Sequence, residues 1–269
     1  MTSDLSAVLD GWPVDRAAVA VIGPSGVLTT AGDDGTFRWA SVTKVVTALA
    51  VLDVVADGLL SLAVPAGPEG ATLRHLLSHA SGVAMDSDDV LAAPGARRIY
   101  SNRGIEIAAD LAATAAALSA EELLAERVLE PLGMTSTLEG SAAHGMSGTI
   151  ADLAALAAEL LTPRQTLPGV VAGASTCAFP GLPGVLPGYG RQTSNDWGLG
   201  CEIKDGKSPH WTAPENSPAT FGHFGQSGSF LWVDPDAQLA CVSLASEGFG
   251  PWAVDAWPPL SSTVLRLFG

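Results

Sequence analysis

Ser41 and Lys44 stand three residues apart in Trp39-Ala40-Ser41-Val42-Thr43-Lys44, at the mouth of an oily segment. Residues at that spacing share a helix face, so the hydroxyl and the amine approach each other, and a serine beside an amine can become a nucleophile. The segment that follows, Val45 to Leu52, is apolar nearly all round and reads as a helix packed on most of its circumference. A helix start also offers unsatisfied backbone N–H groups and the positive end of the dipole, where a developing oxyanion is stabilised. The same serine would serve as an ordinary helix cap. Scarcity sharpens the choice: the chain has three lysines, and Lys204 and Lys207 fall in the polar turn Lys204-Asp205-Gly206-Lys207-Ser208, where a solvated lysine is expected.

An activated serine needs a base, an oxyanion site and something to hold the substrate. Tyr100-Ser101-Asn102, after the turn Pro94-Gly95-Ala96, holds one of only two tyrosines. A phenol beside an ammonium is drawn toward phenolate and the ammonium toward sharing its proton, so either group could act as the base. The stretch also reads as a polar loop in which Asn102 caps a helix from Gly104 to Leu118. Gly222-His223-Phe224-Gly225-Gln226-Ser227-Gly228 is dense in glycine, as strands are where a backbone or ligand comes close. His223 could offer a donor to a bound acyl group there, or sit at the surface of a hairpin.

The elements that must position these residues follow from patterning. Ala17 to Ile22 reads as a buried strand, and Gly23-Pro24-Ser25-Gly26 turns it into Val27-Leu28-Thr29-Thr30. Gly58 ends the Ser41 helix. From about 59 to 195 the chain turns helical: Thr72 to His79, Gly104 to Leu118, a helix opened by the capping box Ser119/Glu122, and another from Thr149 closed by Pro163. Gln165 to Gly190, with four prolines and six glycines, reads as a loop that cannot span a membrane. Strand signals return at Trp197–Ile203, Ser229–Val233 and Leu239–Leu244, and a short helix, Ser261 to Phe268, closes the chain. Strands at both ends predict an α/β protein of the α+β type: one antiparallel sheet from residues 1–58 and 195–269, flanked by helices, with a mainly helical insertion at 59–194.

Composition narrows the function. At 269 residues, 47% hydrophobic and 15% charged, the chain has ample core. A net charge of −15 repels phosphate backbones and anionic lipid heads, which speaks against nucleic-acid and membrane partners. The first ten residues carry two aspartates and no long apolar core, so no secretory signal is read, and three scattered cysteines suit reduced, buried thiols in a cytoplasm. His75 and His79, four apart, lack a third metal ligand, so no metal or other cofactor is expected. Asp86-Ser87-Asp88-Asp89 reads as a solvated loop, and no G-x-S-x-G elbow occurs.

Ser41-Val42-Thr43-Lys44, Tyr100-Ser101-Asn102 and His223-Phe224-Gly225, in that order, resemble the three motifs of the serine β-lactamase and penicillin-binding-protein superfamily, in its class C and esterase-like branch. Leu73-Arg74-His75-Leu76-Leu77-Ser78-His79-Ala80-Ser81-Gly82, Glu130-Pro131-Leu132-Gly133-Met134 and Leu231-Trp232-Val233-Asp234-Pro235 are similar to its landmarks, so the likeness covers roughly residues 15 to 268. The resemblance implies a β-lactamase/transpeptidase-like fold and an acyl-enzyme at Ser41, with Lys44 and Tyr100 sharing its proton. It implies that Asn102 orients Lys44 and the acyl side of the substrate, and that the backbone N–H groups of Ser41 and Gln226 form the oxyanion hole. His223 takes the place of a lysine as a polar or cationic contact, beside Gly225. Phe224 stands where many penicillin-recognising members carry a hydroxyl, and the segment between Gly82 and Pro94 is short. The expected activity is that of a carboxylesterase-like serine hydrolase on small ester or amide molecules, neutral or apolar in part. A β-lactamase or D-alanyl peptidase, an acyltransferase and a non-catalytic binding homologue are the alternatives.

Overall fold

Ala17 to Ile22 is an unbroken apolar run, and a strand buried on both faces carries such a run rather than an alternating one. The computed structural model describes residues 2–165 and 168–269. Helix α1 (Thr2–Asp10) precedes strands β1 (Ala17–Gly23), β2 (Gly26–Gly32) and β3 (Phe37–Arg38). Helices α2 (Thr43–Ala56), α3 (Leu73–Leu77), α4 (Asn102–Ala116) and α5 (Ala120–Leu124) follow, then β4 (Thr137–Leu138), β5 (Met146–Gly148), α6 (Ile150–Leu161) and α7 (Pro168–Ser175). The chain ends with β6 (Gly184–Leu186), β7 (Gly190–Gln192), β8 (Glu202–Ile203), β9 (Phe221–Gly225), β10 (Ser229–Asp234), β11 (Leu239–Ala245) and α8 (Pro251–Phe268).

Six strands form one antiparallel sheet in the order β2-β1-β11-β10-β9-β8, so the two ends of the chain meet where Ala20 of β1 pairs with Val242 of β11. Successive side chains leave opposite faces. Ala18, Ala20 and Ile22 pack with Leu231, Val233 and Val242 against the helices of the insertion, while Val19 and Val21 pack with Phe230, Trp232 and Cys241 against α1 and α8. The first of these clusters continues through α2 to Ile105 of α4 and Leu123 of α5, so sheet and insertion share a core. Within α2 every residue from Thr43 to Leu52 is buried, and each such Val or Leu contributes about 1.5–3 kcal/mol. Among the described residues no helix is long and apolar enough to cross a membrane.

Several expectations need correction. Residues 165–190 are not a loop throughout: α7 starts at Pro168, where a fixed φ fits a first helical turn, and β6 pairs with β7 in a hairpin. Of Trp197–Ile203 only the last two residues are strand, since Gly200 sits at φ +96°. Helix α8 begins at Pro251 rather than Ser261 and runs through Pro258 and Pro259, carried by buried Ala253, Trp257, Leu260 and Val264. Helix α1 has no counterpart in the sequence reading; Leu5 and Leu9, four apart, seat it on the α8 side of the sheet. Asn102 is not the cap of α4: the Ser101 hydroxyl accepts the Gly104 N–H at 2.8 Å, and Asn102 is the first helical residue.

The two other lysines are not solvated. Lys204 Nζ donates to the Asn216 carbonyl at 2.6 Å, and Lys207 Nζ donates to the carbonyls of Asp196 and Ile203 and lies 3.2 Å from Glu202 Oε1. Backbone carbonyls of the turns around β8 converge on both ammonium groups, which no local pattern foretells.

Gly225 shows how closely the sheet approaches the Ser41 turn. A Cβ there would run into the Trp39 carbonyl oxygen and the Ser229 hydroxyl. Gly225→Ala should therefore push the turn off β9, lowering stability by about 1–3 kcal/mol in chemical denaturation and slowing reaction of Ser41 with a fluorophosphonate.

Candidate active site

Ser41 lies on a single 3-10 turn, Ala40–Val42, that runs directly into α2 at Thr43. Ala40 adopts φ +45°, a conformation that costs a non-glycine residue on the order of 1 kcal/mol or more and persists where its surroundings over-determine it. Here they do. The carbonyl of Arg38 accepts from Ser227 Oγ at 2.7 Å, that of Trp39 from Ser229 Oγ at 2.7 Å, and that of Ala40 from Thr43 Oγ1 at 2.6 Å. Three consecutive peptides before the serine are thus pinned by hydroxyl groups, two of them from β10 and the turn leading into it.

The Lys44 side chain is buried and its Nζ meets three acceptors: Ser41 Oγ at 3.2 Å, Asn102 Oδ1 at 2.6 Å and the Ala143 carbonyl at 2.9 Å. Three acceptors match the three protons of an ammonium. Burial nonetheless holds its pKa down to about 7, with Asp86 and Glu106 pulling the other way, so charged and neutral forms are both accessible near neutrality. The Asn102 amide is fixed in orientation, because its Nδ2 donates to Asp86 Oδ1 at 2.7 Å while its oxygen faces the ammonium. Asp86, in a stretch read as solvated, is therefore part of the chain of contacts that orients the lysine.

Tyr100 faces the same serine from β9's side. Burial pushes its phenol well above the usual value, although a hydrogen bond with Ser41 opposes this, so the group is a protonated phenol and not a phenolate. Its hydroxyl lies 3.4 Å from His223 Nε2. His223 Nδ1 lies 2.7 Å from the Phe224 carbonyl, which can only accept, so the proton sits on Nδ1 and Nε2 presents a bare lone pair to the phenol. Burial first, then the charge of Lys44, holds the imidazole down to about 3. Of the polar or cationic contact expected there, the geometry carries the polar form, with His223 as a neutral acceptor.

His79, which in the sequence ends the Thr72 helix within a landmark stretch and lacks partners for a metal, clamps Tyr100. Its carbonyl accepts from Ile99 N at 2.9 Å and its Nδ1 accepts from Ser101 N at 3.2 Å, one bond on each side of the tyrosine. Its ring lies 4.6 Å from that of Tyr100 and, edge-on, 4.6 Å from Trp197. A φ of +56° brings ring and carbonyl to the same strip of chain. His75 points elsewhere, bonding Thr72 and stacking on Phe179, so the pair does not converge on one ion.

Ser41 opens onto two hollows. One of about 840 Å³ is bordered by Tyr100, Trp197 and His223, by the β6–β7 hairpin and by residues 85–99. The other, about 630 Å³, is bordered by Asn102, Arg38, His144 and Ser227. Ser41 and Gln226 border both. Phe224 contributes to the back wall of the larger hollow, its ring packed among Trp211, Phe249 and Trp257. The hairpin is held in place by buried Arg98, whose backbone N–H donates to Pro183 O at 2.8 Å and whose guanidinium donates to the carbonyls of Ser78, Ala178, Phe179 and Asn195. Sequence reasoning missed Arg98, Trp197, Asp86 and the Ser227/Ser229 pair; only the last had a usable signal, two hydroxyls on one face of the strand entry that follows Gly225.

Comparisons with known proteins bear on the family and the fold. A family model described as Beta-lactamase matches residues 14–142. A solved structure of a beta-lactamase from Mycobacterium bovis is similar at 52% identity and a TM-score of 0.95, with 97% of this chain and 98% of that chain covered. Two more distant structures share the fold. A mutant of simvastatin synthase from Aspergillus terreus gives 17% identity, a TM-score of 0.77, and 98% and 93% coverage. EstCE1, described as a hydrolase with promiscuous acyltransferase activity, gives 18%, 0.79, and 98% and 97%. No curated protein matches the sequence.

The His79 clamp makes a separable prediction. Asparagine tolerates a positive φ and carries an acceptor where Nδ1 stands, so His79→Asn should keep most of the reactivity of Ser41 toward a fluorophosphonate. His79→Ala loses both ring and acceptor and should slow that reaction by about 10²-fold, read by the rate of adduct formation in the intact-protein mass spectrum.

Proposed function

Because the chain belongs to the beta-lactamase family, we propose that it is a serine hydrolase that forms an acyl-enzyme at Ser41 and acts, carboxylesterase-like, on small ester or amide molecules. The observation that carries this reading is Lys44 Nζ at 3.2 Å from Ser41 Oγ with its pKa held down to about 7, an amine placed and tuned to take the serine's proton.

The steps follow from the geometry. Neutral Lys44 takes the Ser41 proton as Oγ bonds to the substrate's carbonyl carbon. The resulting oxyanion is met by the backbone N–H groups of Ser41 and Gln226, neither of which donates to a protein acceptor among the described residues. As the bond from carbon to the leaving oxygen or nitrogen breaks, the Tyr100 phenol protonates the departing atom, and the proton held on Lys44 makes good the loss. Water then adds to the acyl carbon, giving a proton to the same pair, and Ser41 Oγ takes a proton back as the acid leaves. The His223 lone pair, 3.4 Å from the phenol oxygen, holds that oxygen in place as an acceptor in the resting site, and the proton turns to the leaving atom as negative charge develops there. Since Tyr100 borders the larger hollow and Asn102 the smaller, the leaving group occupies the former and the acyl group the latter.

Phe224 supplies no donor for a substrate carboxylate at its position in the third motif, which supports esters over penicillins. The second reading, a β-lactam hydrolase, is favoured by the name of the Mycobacterium bovis relative. A reducing compartment such as the cytoplasm suits the three free thiols, Cys177, Cys201 and Cys241.

A chromogenic short-chain ester should give a burst of product, with the acyl mass located on Ser41. Ser41→Ala should lower kcat by on the order of 10⁴ to 10⁶, and retention of full turnover would overturn the mechanism. Rapid cephalosporin hydrolysis with poor ester turnover would install the second reading instead. The pH profile has a defined sign: a depressed lysine is neutral above its pKa, so kcat/KM should rise as pH passes up through about 7. No descending limb should follow below pH 10, because Tyr100 stays protonated and His223 stays neutral throughout.

A further inference from the structure

The cleft inverts the charge of the molecule. The chain carries 28 acidic residues against 13 basic ones, ten of which are arginines. Half of those arginines, Arg16, Arg38, Arg97, Arg98 and Arg191, border the two hollows beside Ser41, against one acidic residue, Glu202. Glu202 is already answered, by Lys207 at 3.2 Å, His210 Nε2 at 3.1 Å and the Trp211 indole N–H. Two of the arginines are committed elsewhere, Arg98 to four carbonyls and Arg16 to a bidentate pair with Asp33 at 2.8 Å.

In the larger hollow, Arg97 and Arg191 are exposed and form no ion pair among the described residues; Arg97 spends one N–H on the Leu91 carbonyl at 3.2 Å. They stand among unusually bare apolar side chains. Met85, Leu91 and Val185, 48%, 53% and 59% exposed, border this same hollow, and Val185 lies directly opposite Arg191 in the hairpin, on the same face. An uncovered apolar wall with guanidinium groups beside it matches a ligand that is apolar in its body and anionic at one end.

We propose that the larger hollow selects a leaving group with an apolar body and a terminal carboxylate or phosphate, held by Arg97 and Arg191. The proposal rests on the reading of Ser41 as the acyl-accepting serine, with the leaving group on the Tyr100 side. It reverses the expectation of a neutral substrate drawn from Phe224. The anion is recognised by side chains on the 85–99 segment and the hairpin, neither of which belongs to the three motifs. An acidic protein with an arginine-lined mouth also draws an anion inward through a field that its outer surface opposes, so the rate of capture falls as salt rises.

Three acetyl esters of the same size test this: 6-acetoxy-2-naphthoate, its neutral carboxamide, and 6-acetoxy-2-naphthyl phosphate. With one acyl group throughout, only the leaving group varies. The wild-type enzyme at low salt should prefer an anionic ester over the carboxamide by on the order of ten- to a hundredfold in kcat/KM, mostly through KM, and the larger ratio names the anion. Arg97→Gln/Arg191→Gln should bring that ratio toward one, and 0.5 M salt should shrink it in the wild type. Equal turnover of charged and neutral esters by the wild type, or a preference that survives in the double variant, overturns the proposal. Intact-protein mass spectrometry on the carboxamide separates the two levels. An acetyl adduct on Ser41 without anion preference sinks the leaving-group site alone, while no adduct from any of the three esters sinks the acyl-enzyme reading and the site together.

Discussion

The structure depends on a buried ammonium. Lys44 lies inside a helix packed on nearly all sides, and its charge is tolerated because a serine hydroxyl, a side-chain amide and a backbone carbonyl converge on it. Leaving any one of those acceptors out would strand an N–H in the core, at a cost of about 1–3 kcal/mol. The requirement reaches outward. Asn102 must stand at the first turn of α4, Asp86 must hold its amide, and Ala143 must bring its carbonyl across from the segment before β5. Burial that makes the ammonium expensive is also what makes the neutral amine accessible near pH 7, so the same feature organises the packing and the chemistry.

Around that centre the site is rigid for a local reason. Hydroxyls hold the backbone carbonyls before Ser41, buried Trp39 anchors the stretch in the core, and glycine at 225 lets β9 lie against it. On the other side His79 grips the chain before and after Tyr100 and covers its ring. Ser41 and Tyr100 are therefore positioned by neighbours, the Ser227 and Ser229 hydroxyls and His79, that have no chemical part in the proposed mechanism. The mouth of the cleft is different in kind: residues 87–99 and the β6–β7 hairpin carry exposed side chains joined chiefly through Arg98.

Much of this was legible in the chain. An apolar helix with a lysine at its mouth, a tyrosine–serine–asparagine turn and a glycine-dense strand could be found by type and spacing, and the antiparallel sheet made from the two termini followed from where strand signals fell. What misled was local chemistry that packing overruled. Proline and glycine in 165–190 suggested a loop, yet buried Val170, Val171 and Ala174 hold a helix there. Lys204 and Lys207, in a run of polar residues, looked solvated, yet carbonyls from the turns around β8 receive them. His79 was weighed as a ligand because histidines four apart share a helix face, but α3 ends at Leu77 and the positive φ turns His79 toward Tyr100.

By itself the sequence determined which residue types were available for acyl transfer, their order, and the sheet that would gather them, because side-chain periodicity and turn chemistry are local properties. Only the tertiary structure decided their states. Whether Lys44 can be neutral, whether Tyr100 keeps its proton, and whether His223 is a cation or a bare lone pair depend on burial and on partners tens of residues away. The same holds for the mouth of the cleft. Arg97 and Arg191 are ordinary surface arginines in the chain, and they become a candidate anion site only where folding sets them, without carboxylate partners among the described residues, beside Met85, Leu91 and Val185.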